Sequence, residues 1–228
     1  MIWLMTDKFG VIFDVDGVLV DSYDAHLRSW QMLGAERGFS FTETRFVETF
    51  GRTTREIIRE TFGPDRFSSG QIAALDARKE ALFRELLARD FPVMDGAVAL
   101  IDELYQAGYR LAVGSSGPPE NVQLVLDSLG RAACFRGVVT GMDVTRGKPD
   151  PQVFLTAADR LGLDPCRCVV IEDATAGVRA AKRAGMRCVG FVSRGHRDAE
   201  LSEADLLVRR LSELSSAAVA RLLESCVN

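Results

Sequence analysis

Histidine is nearly absent from this chain, with two in 228 residues, and tryptophan is as scarce. No apolar run approaches the ~20 residues that a membrane-spanning helix requires. Positive charge is not in excess either: 28 Lys and Arg stand against 32 Asp and Glu, for a formal net charge of -4. Without a basic stripe there is no electrostatic reason to expect nucleic acid as a partner. The five cysteines are odd in number and show no paired spacing, which argues for a reducing compartment rather than a disulfide framework. Cys166 and Cys168 are separated by a single residue, which is not the spacing of a zinc knuckle. All five are read as small packing residues or surface thiols. The apolar opening Met1-Ile2-Trp3-Leu4-Met5 has no basic flank and runs at once into Thr6-Asp7-Lys8, so no signal peptide is expected. These absences lead to the expectation of a soluble, cytoplasmic protein without membrane or nucleic-acid partners. The oligomeric state stays open, with a monomer favoured.

What is present is an ordinary globular composition, 47% hydrophobic and 26% charged, long enough for one medium domain or a domain with an insert. The first decisive stretch is Val11-Ile12-Phe13 followed by Asp14-Val15-Asp16-Gly17. The apolar run predicts a buried parallel strand, and it stops at two carboxylates two residues apart. In open α/β sheets, reacting groups sit just outside the carboxyl ends of strands. Two close carboxylates repel strongly at low dielectric and call for a cation or a shared proton between them. Mg²⁺ is the natural candidate, since it takes hard oxygen ligands and keeps positions for waters and a substrate phosphate.

From Ser22 to Asp90 the pattern changes. Apolar residues recur at helical spacing, as in Leu27, Trp30 and Leu33, then Ile57, Ile58 and Phe62, then Leu82, Phe83, Leu86 and Leu87. Breakers at Gly38, Gly51, Gly63-Pro64 and Ser68-Ser69-Gly70 cut the stretch into three to five helices. Beyond it, strands and helices alternate with short connections. Strands are expected at Arg110–Gly114, Gly137–Thr140, Cys168–Ile171, Arg187–Phe191 and Leu206–Val208. Such alternation specifies a parallel sheet covered by helices on both faces. The expected architecture is therefore an α/β fold with a Rossmann-like parallel sheet core, residues 1–21 and 95–228, and an inserted all-helical cap domain, residues 22–94.

Polar groups suited to phosphate chemistry follow four of these strands. Asp14 and Asp16 follow the first, Ser115-Ser116-Gly117 the second, Lys148 lies in the loop after the third, and Glu172-Asp173 follow the fourth. Each has an ordinary explanation alone: a turn, a solvated loop lysine, acids capping a helix. Together, in a doubly wound sheet, they converge on one edge. Phosphoryl transfer needs an in-line nucleophile and neutralised equatorial oxygens, and little else from the protein. Asp14 is assigned as nucleophile. Asp16 is placed to protonate the leaving oxygen and later deprotonate a water. Ser115, with backbone N–H groups of Ser116 and Gly117 at a helix start, suits phosphate oxygens. Lys148 supplies a compact positive charge, and Asp173 with Glu172 completes the Mg²⁺ site.

These residues resemble the motifs of the haloacid dehalogenase superfamily over nearly the whole chain. Asp14-Val15-Asp16-Gly17-Val18 is similar to its first motif, Ser115 to its second, Gly147-Lys148-Pro149-Asp150-Pro151 to its third, and Val170-Ile171-Glu172-Asp173-Ala174 with Gly177 to its fourth. The insert resembles the helical cap of the subgroup containing beta-phosphoglucomutase and many small-molecule phosphatases. The resemblance implies Mg²⁺, a mobile cap, an aspartyl-phosphate intermediate, and a metal contact through the backbone carbonyl of Asp16. It also narrows the reaction. The family's dehalogenases lack the second aspartate, which is present here as Asp16. Its phosphonate hydrolases use a cap lysine with that aspartate replaced, whereas here Lys79 is the only lysine of the insert and lies late in it. His26 and Trp30 lie one helical turn apart and resemble beta-phosphoglucomutase, but Gly117 and Pro118 stand where that enzyme anchors a second phosphate. Water is therefore the expected acceptor, and the substrate a small-molecule phosphate ester, with sugar phosphates foremost. Arg52, beside the Gly51 loop, is a candidate for binding its carboxylate or second phosphate, and His26 a further substrate contact. A phosphomutase is the alternative, followed by a non-catalytic sensor of phosphorylated metabolites.

Overall fold

The computed structural model describes residues 8–49 and 53–224. It divides into two compact units, Met1–Asp21 with Val93–Asn228, and Ser22–Pro92.

The larger unit is built on a six-stranded parallel sheet. Its strands are β1 (Gly10–Phe13), β2 (Arg110–Gly114), β3 (Phe135–Val139), β4 (Cys168–Glu172), β5 (Arg187–Phe191) and β6 (Leu206–Val208). Their order in space is β3-β2-β1-β4-β5-β6, with every neighbouring pair parallel. This is a Rossmann-like order, and its direction of winding reverses at β1. The helices are α5 (Ala97–Gln106), α6 (Pro119–Leu129), α7 (Gln152–Leu161), α8 (Thr175–Arg183) and α9 (Ser216–Glu224).

The strands lack polar alternation because both faces are covered. Ile12, Ala112, Val139, Val170 and Cys188 pack in one cluster with Phe154, Ala157 and Leu161 of α7 and Val178 and Ala181 of α8. Their alternate neighbours Val11, Phe13, Val113, Val169 and Ile171 point the other way and are equally inaccessible to solvent. Burying each such side chain contributes about 1.5–3 kcal/mol, and this cost of displacement keeps the strand ends in register. β3 begins two residues before the expected Gly137. Phe135 is buried and meets Phe13 edge-on at 6.0 Å, so the packing of one ring extends the strand.

The smaller unit is all-helical: α1 (Tyr23–Arg37), α2 (Glu43–Thr49), α3 (Thr54–Phe62) and α4 (Ser69–Arg89). Gly38 ends α1 with φ at 75°, a left-handed conformation that costs glycine little. Thr53 with Glu56 and Ser68 with Gln71 form capping boxes that start α3 and α4. An aromatic core ties the helices together. Trp30 stacks on Phe41 at 4.7 Å, Tyr23 meets Phe46 edge-on at 5.1 Å, and Phe62 meets Phe39 and Phe67. Among the described residues no helix is long and apolar enough to cross a membrane.

Candidate active site

Strand register brings the acids together. Phe13 pairs with Val113 on one side and Ile171 on the other, so one residue further along the sheet Asp14 stands beside Glu172. The Asp14 N–H donates to the Ile171 carbonyl at 3.0 Å, extending the ladder by one step. In-register neighbours in a parallel pair point to the same face, and the next residue of the β4 chain is Asp173. Asp14, Glu172 and Asp173 are all buried and offer carboxylate oxygens within 4.8 Å of one another.

Two glycines let this crowding happen. Gly17 has φ at 74°, and a Cβ there would lie 1.8 Å from Asp173 Oδ2. Gly177, in the first turn of α8, packs on the other acid: its Cβ would fall 1.6 Å from Glu172 Oε1.

Lys148 reaches the cluster from the loop between β3 and α7. Its Nζ donates to Asp14 Oδ1 and Glu172 Oε1, both at 2.6 Å, and lies 4.8 Å from the centre of the Phe154 ring. Gln152 shapes that loop, its Oε1 accepting from Thr145 N, Thr145 Oγ1 and Arg146 N at 3.0, 3.1 and 3.1 Å. Arg183 donates to the Pro149 carbonyl at 3.1 Å. Glu172 Oε2 accepts from the Ala174 N–H at 2.7 Å, the free donor of the turn entering α8.

The electrostatics follow from burial. Loss of water pushes the Asp14 carboxyl up to about 7, with Lys148 opposing the shift and Glu172 adding to it. Asp173 is pushed well above the usual carboxylate range by burial, then by Glu172 and Asp14. Burial works to lower the Lys148 ammonium, but Asp14 and Glu172 outweigh it and hold it above its ordinary value. When all groups are ionised, three carboxylates face one ammonium. That leaves an excess of two negative charges among hard oxygen donors, a set that fits a divalent cation.

The other candidate residues lie in several places. Ser115 is buried at the end of β2, its N–H bonded to the Val139 carbonyl at 3.0 Å and its Oγ accepting from the Gly117 N–H at 3.0 Å. A Cβ on Gly117 would stand 3.2 Å from that Oγ and 3.9 Å from Asp16 Oδ2. Asp16 thus extends toward the turn after β2, and its carboxylate is not one of the three that converge. The Ser116 side chain is exposed, while the Gly117 carbonyl accepts from Gly141 N at 2.8 Å. His26 belongs to the helical unit, where its ring stacks on Phe83 at 4.1 Å and its Nδ1 lies 2.8 Å from the Nζ of buried Lys79. Arg52 and Gly51 lie outside the described residues. One residue not anticipated from the sequence is Ser193, whose Oγ donates to Asp173 Oδ2 at 2.7 Å. The signal for it was its place: like the other groups, it follows the carboxyl end of a strand, here β5.

A sheet wound in this order with acids, a lysine and a serine at its carboxyl edge defines a Rossmann-like hydrolase core, and residues 10–185 match the model of the haloacid dehalogenase-like hydrolases. The chain belongs to that family and is an enzyme of it. It is 33% identical over 206 residues to validoxylamine A 7'-phosphate phosphatase of Streptomyces hygroscopicus subsp. limoneus, covering 89% of this chain and 94% of the relative. It is 31% identical to beta-phosphoglucomutase of Bacillus subtilis (strain 168), covering 90% of this chain and 91% of that enzyme. Among solved structures, CbbY from Rhodobacter sphaeroides in complex with phosphate superimposes with a TM-score of 0.85 at 28% identity, covering 94% of this chain and all of the other.

Proposed function

We propose that this protein is a Mg²⁺-dependent phosphatase that hydrolyses a small phosphorylated metabolite, sugar phosphates foremost, by covalent capture of the phosphoryl group on Asp14. The observation that carries the reading is the contact of one lysine, its side chain 9% exposed, with two acids from adjacent strands, Asp14 and Glu172, beside a third, Asp173. Asp14, Glu172 and Asp173, with the Asp16 carbonyl, are the assigned metal ligands. Bound there, Mg²⁺ would supply the positive charge that lets an anionic carboxylate approach an anionic phosphate.

The chain's own residues then divide the work. Lys148 holds Asp14 Oδ1, which orients the carboxylate and leaves Oδ2 as the oxygen that attacks phosphorus. As the new P–O bond forms, the ester P–O bond breaks, and the Asp16 carboxyl gives its proton to the leaving oxygen. In the second step Asp16 takes a proton from water, the water oxygen bonds to phosphorus, and Asp14 is released with inorganic phosphate. Ser115 accepts from Gly117, so its own hydroxyl proton can be donated to a phosphoryl oxygen. Lys148 meets the negative charge that accumulates on the equatorial oxygens.

Water is the acceptor because the turn after β2 offers no charged side chain for a second phosphate: Gly117 and Pro118 lead into α6 at Pro119. The second reading, return of the phosphoryl group to a sugar, is supported by the 31% identity to a beta-phosphoglucomutase. A panel of phosphate esters assayed with Mg²⁺ separates the two. Release of inorganic phosphate is expected from at least one sugar phosphate. Isomerised sugar phosphate without phosphate release would mark a mutase, and no turnover with any ester would refute both.

A further inference from the structure

We propose that Ser193, braced by His196, is a positioning residue that holds the Asp173 carboxylate ready for its cation. The inference rests on the metal site just assigned and concerns residues outside the groups that react.

Asp173 is confined from two sides. On one, the Ser193 hydroxyl donates to Oδ2 at 2.7 Å, with Ser193 only 8% and Asp173 only 5% exposed. On the other lies Gly17, so close that any side chain there would overlap the same oxygen. The serine's hydrogen bond and the close glycine backbone meet the same oxygen and so favour one orientation of the carboxylate. Its remaining oxygen is then offered to the cation at a lower ordering cost.

The loop that carries Ser193 is itself tied to the strand it serves. β5 lies next to β4, with Glu172 opposite Gly190, which places the exit of β5 over Asp173. Val192 N–H donates to the Val208 carbonyl at 2.8 Å, and His196 N–H to the Ser193 carbonyl at 3.2 Å. His196 Nε2 stands 3.9 Å from Asp173 Oδ2, and its Nδ1 lies 3.4 Å from Glu200 Oε2. The Glu200 carbonyl accepts from Thr175 Oγ1, the first residue of α8, at 2.8 Å. The loop is thus held on β6 at its start and on the β4–α8 junction through Ser193 and Glu200, and the serine's position is inherited from that closure.

The test is calorimetric titration of the full chain with Mg²⁺. Ser193→Ala is expected to weaken Mg²⁺ binding about 10-fold, the lower end of what is lost when an oriented ligand loses its hydrogen-bond partner. Ser193→Thr, which keeps the hydroxyl, is expected to bind close to wild type, and His196→Gln to show a smaller weakening than the alanine variant. In turnover assays the Mg²⁺ concentration giving half-maximal rate rises by the same factor in Ser193→Ala, and added Mg²⁺ recovers the lost rate. A general loss of structure would not be recovered in this way. Should Ser193→Ala fail to fold, Ser193→Cys, a weaker donor of similar size, reads the same constant and is expected to fall below wild type. Mg²⁺ affinity in Ser193→Ala or Ser193→Cys within twofold of wild type overturns the inference, as does a threonine variant as weak as alanine. A wild type that binds Mg²⁺ yet hydrolyses no ester overturns the phosphatase reading alone. A wild type that binds no Mg²⁺ overturns both.

Discussion

Asp14 makes the stability of the metal-free protein fall as pH rises, the reverse of what most native carboxylates do. Its carboxyl titrates at about 7 in the folded chain and at 3.8 in the unfolded one. Between those values the folded state holds a proton that the unfolded state has released, so unfolding free energy decreases with pH across that window. One pH unit of difference is worth about 1.4 kcal/mol; integrated from pH 5 to pH 8, the loss is about 2–3 kcal/mol. Asp173, raised by the same burial, adds to it with the same sign. The acids held below their ordinary values, Asp102 and Asp143 by arginine and threonine partners, Glu36 by Arg78, Glu200 by Arg197, and Asp205 by Lys182, Arg187 and the Cys188 N–H, act oppositely, but their contribution is nearly complete by pH 5. Above pH 5 the decline therefore comes from acids raised by burial, the two site carboxyls together with Asp76 of the helical unit, which burial and Glu80 also raise; the Asp14→Asn variant separates the site's share. Urea denaturation in a chelator from pH 5 to 8 should show this decline. Asp14→Asn, which keeps the shape and cannot ionise, should flatten it substantially. Saturating Mg²⁺ should reverse it, because cation binding favours the deprotonated carboxylates. Stability that is level or rising with pH in chelator, or an Asn variant with the wild-type slope, would refute the assignment of a strained, undercompensated cluster.

Three further outcomes follow from the same geometry. Asp14→Asn should fold, as judged by circular dichroism, and lose at least about 10³-fold in phosphate release, since no other group can take over covalent capture. Gly177→Ala reverses the usual sign for a helix: propensity alone favours alanine by about 1 kcal/mol, but a Cβ 1.6 Å from Glu172 Oε1 should displace that carboxylate from Lys148. Thermal and denaturant melts should show a net destabilisation of about 2 kcal/mol or more. Lys148→Met should cost about 3 kcal/mol in chelator by leaving Asp14 and Glu172 buried without their cation, and added Mg²⁺ should recover part of that stability while turnover stays low.

How far the site could be read from the residues depends on where each group stands in the chain. Asp14, Glu172 and Asp173 were legible because a strand buried on both faces must end abruptly, and the first charged residue after Val11-Ile12-Phe13 or Val169-Val170-Ile171 marks that end. The parallel sheet followed from the same runs. Lys148 was legible only as a loop lysine; its contact with both acids depends on the fold of residues 140–152, where Gln152 gathers three donors. Ser193 was legible only by its place after an expected strand, which any turn residue there would share. Ser-Arg-Gly-His is indistinguishable from a surface turn until β5 is known to pair with β4, and register is a property of the assembled sheet rather than of either strand. Lys79 shows the same limit in the helical unit: on helical spacing it belongs to a polar face, yet it is 3% exposed, held between His26, Glu80 and the Phe83 ring. In both units, strand and helix identity come from local pattern, whereas the partners of buried polar groups come from neighbours distant in sequence. Chemistry here depends on the second kind of information. Two glycines do carry it in legible form, because Gly17 and Gly177 stand where any side chain would strike an acid, and a glycine inside a helix or directly after a strand's acids is a sign of something packed against it.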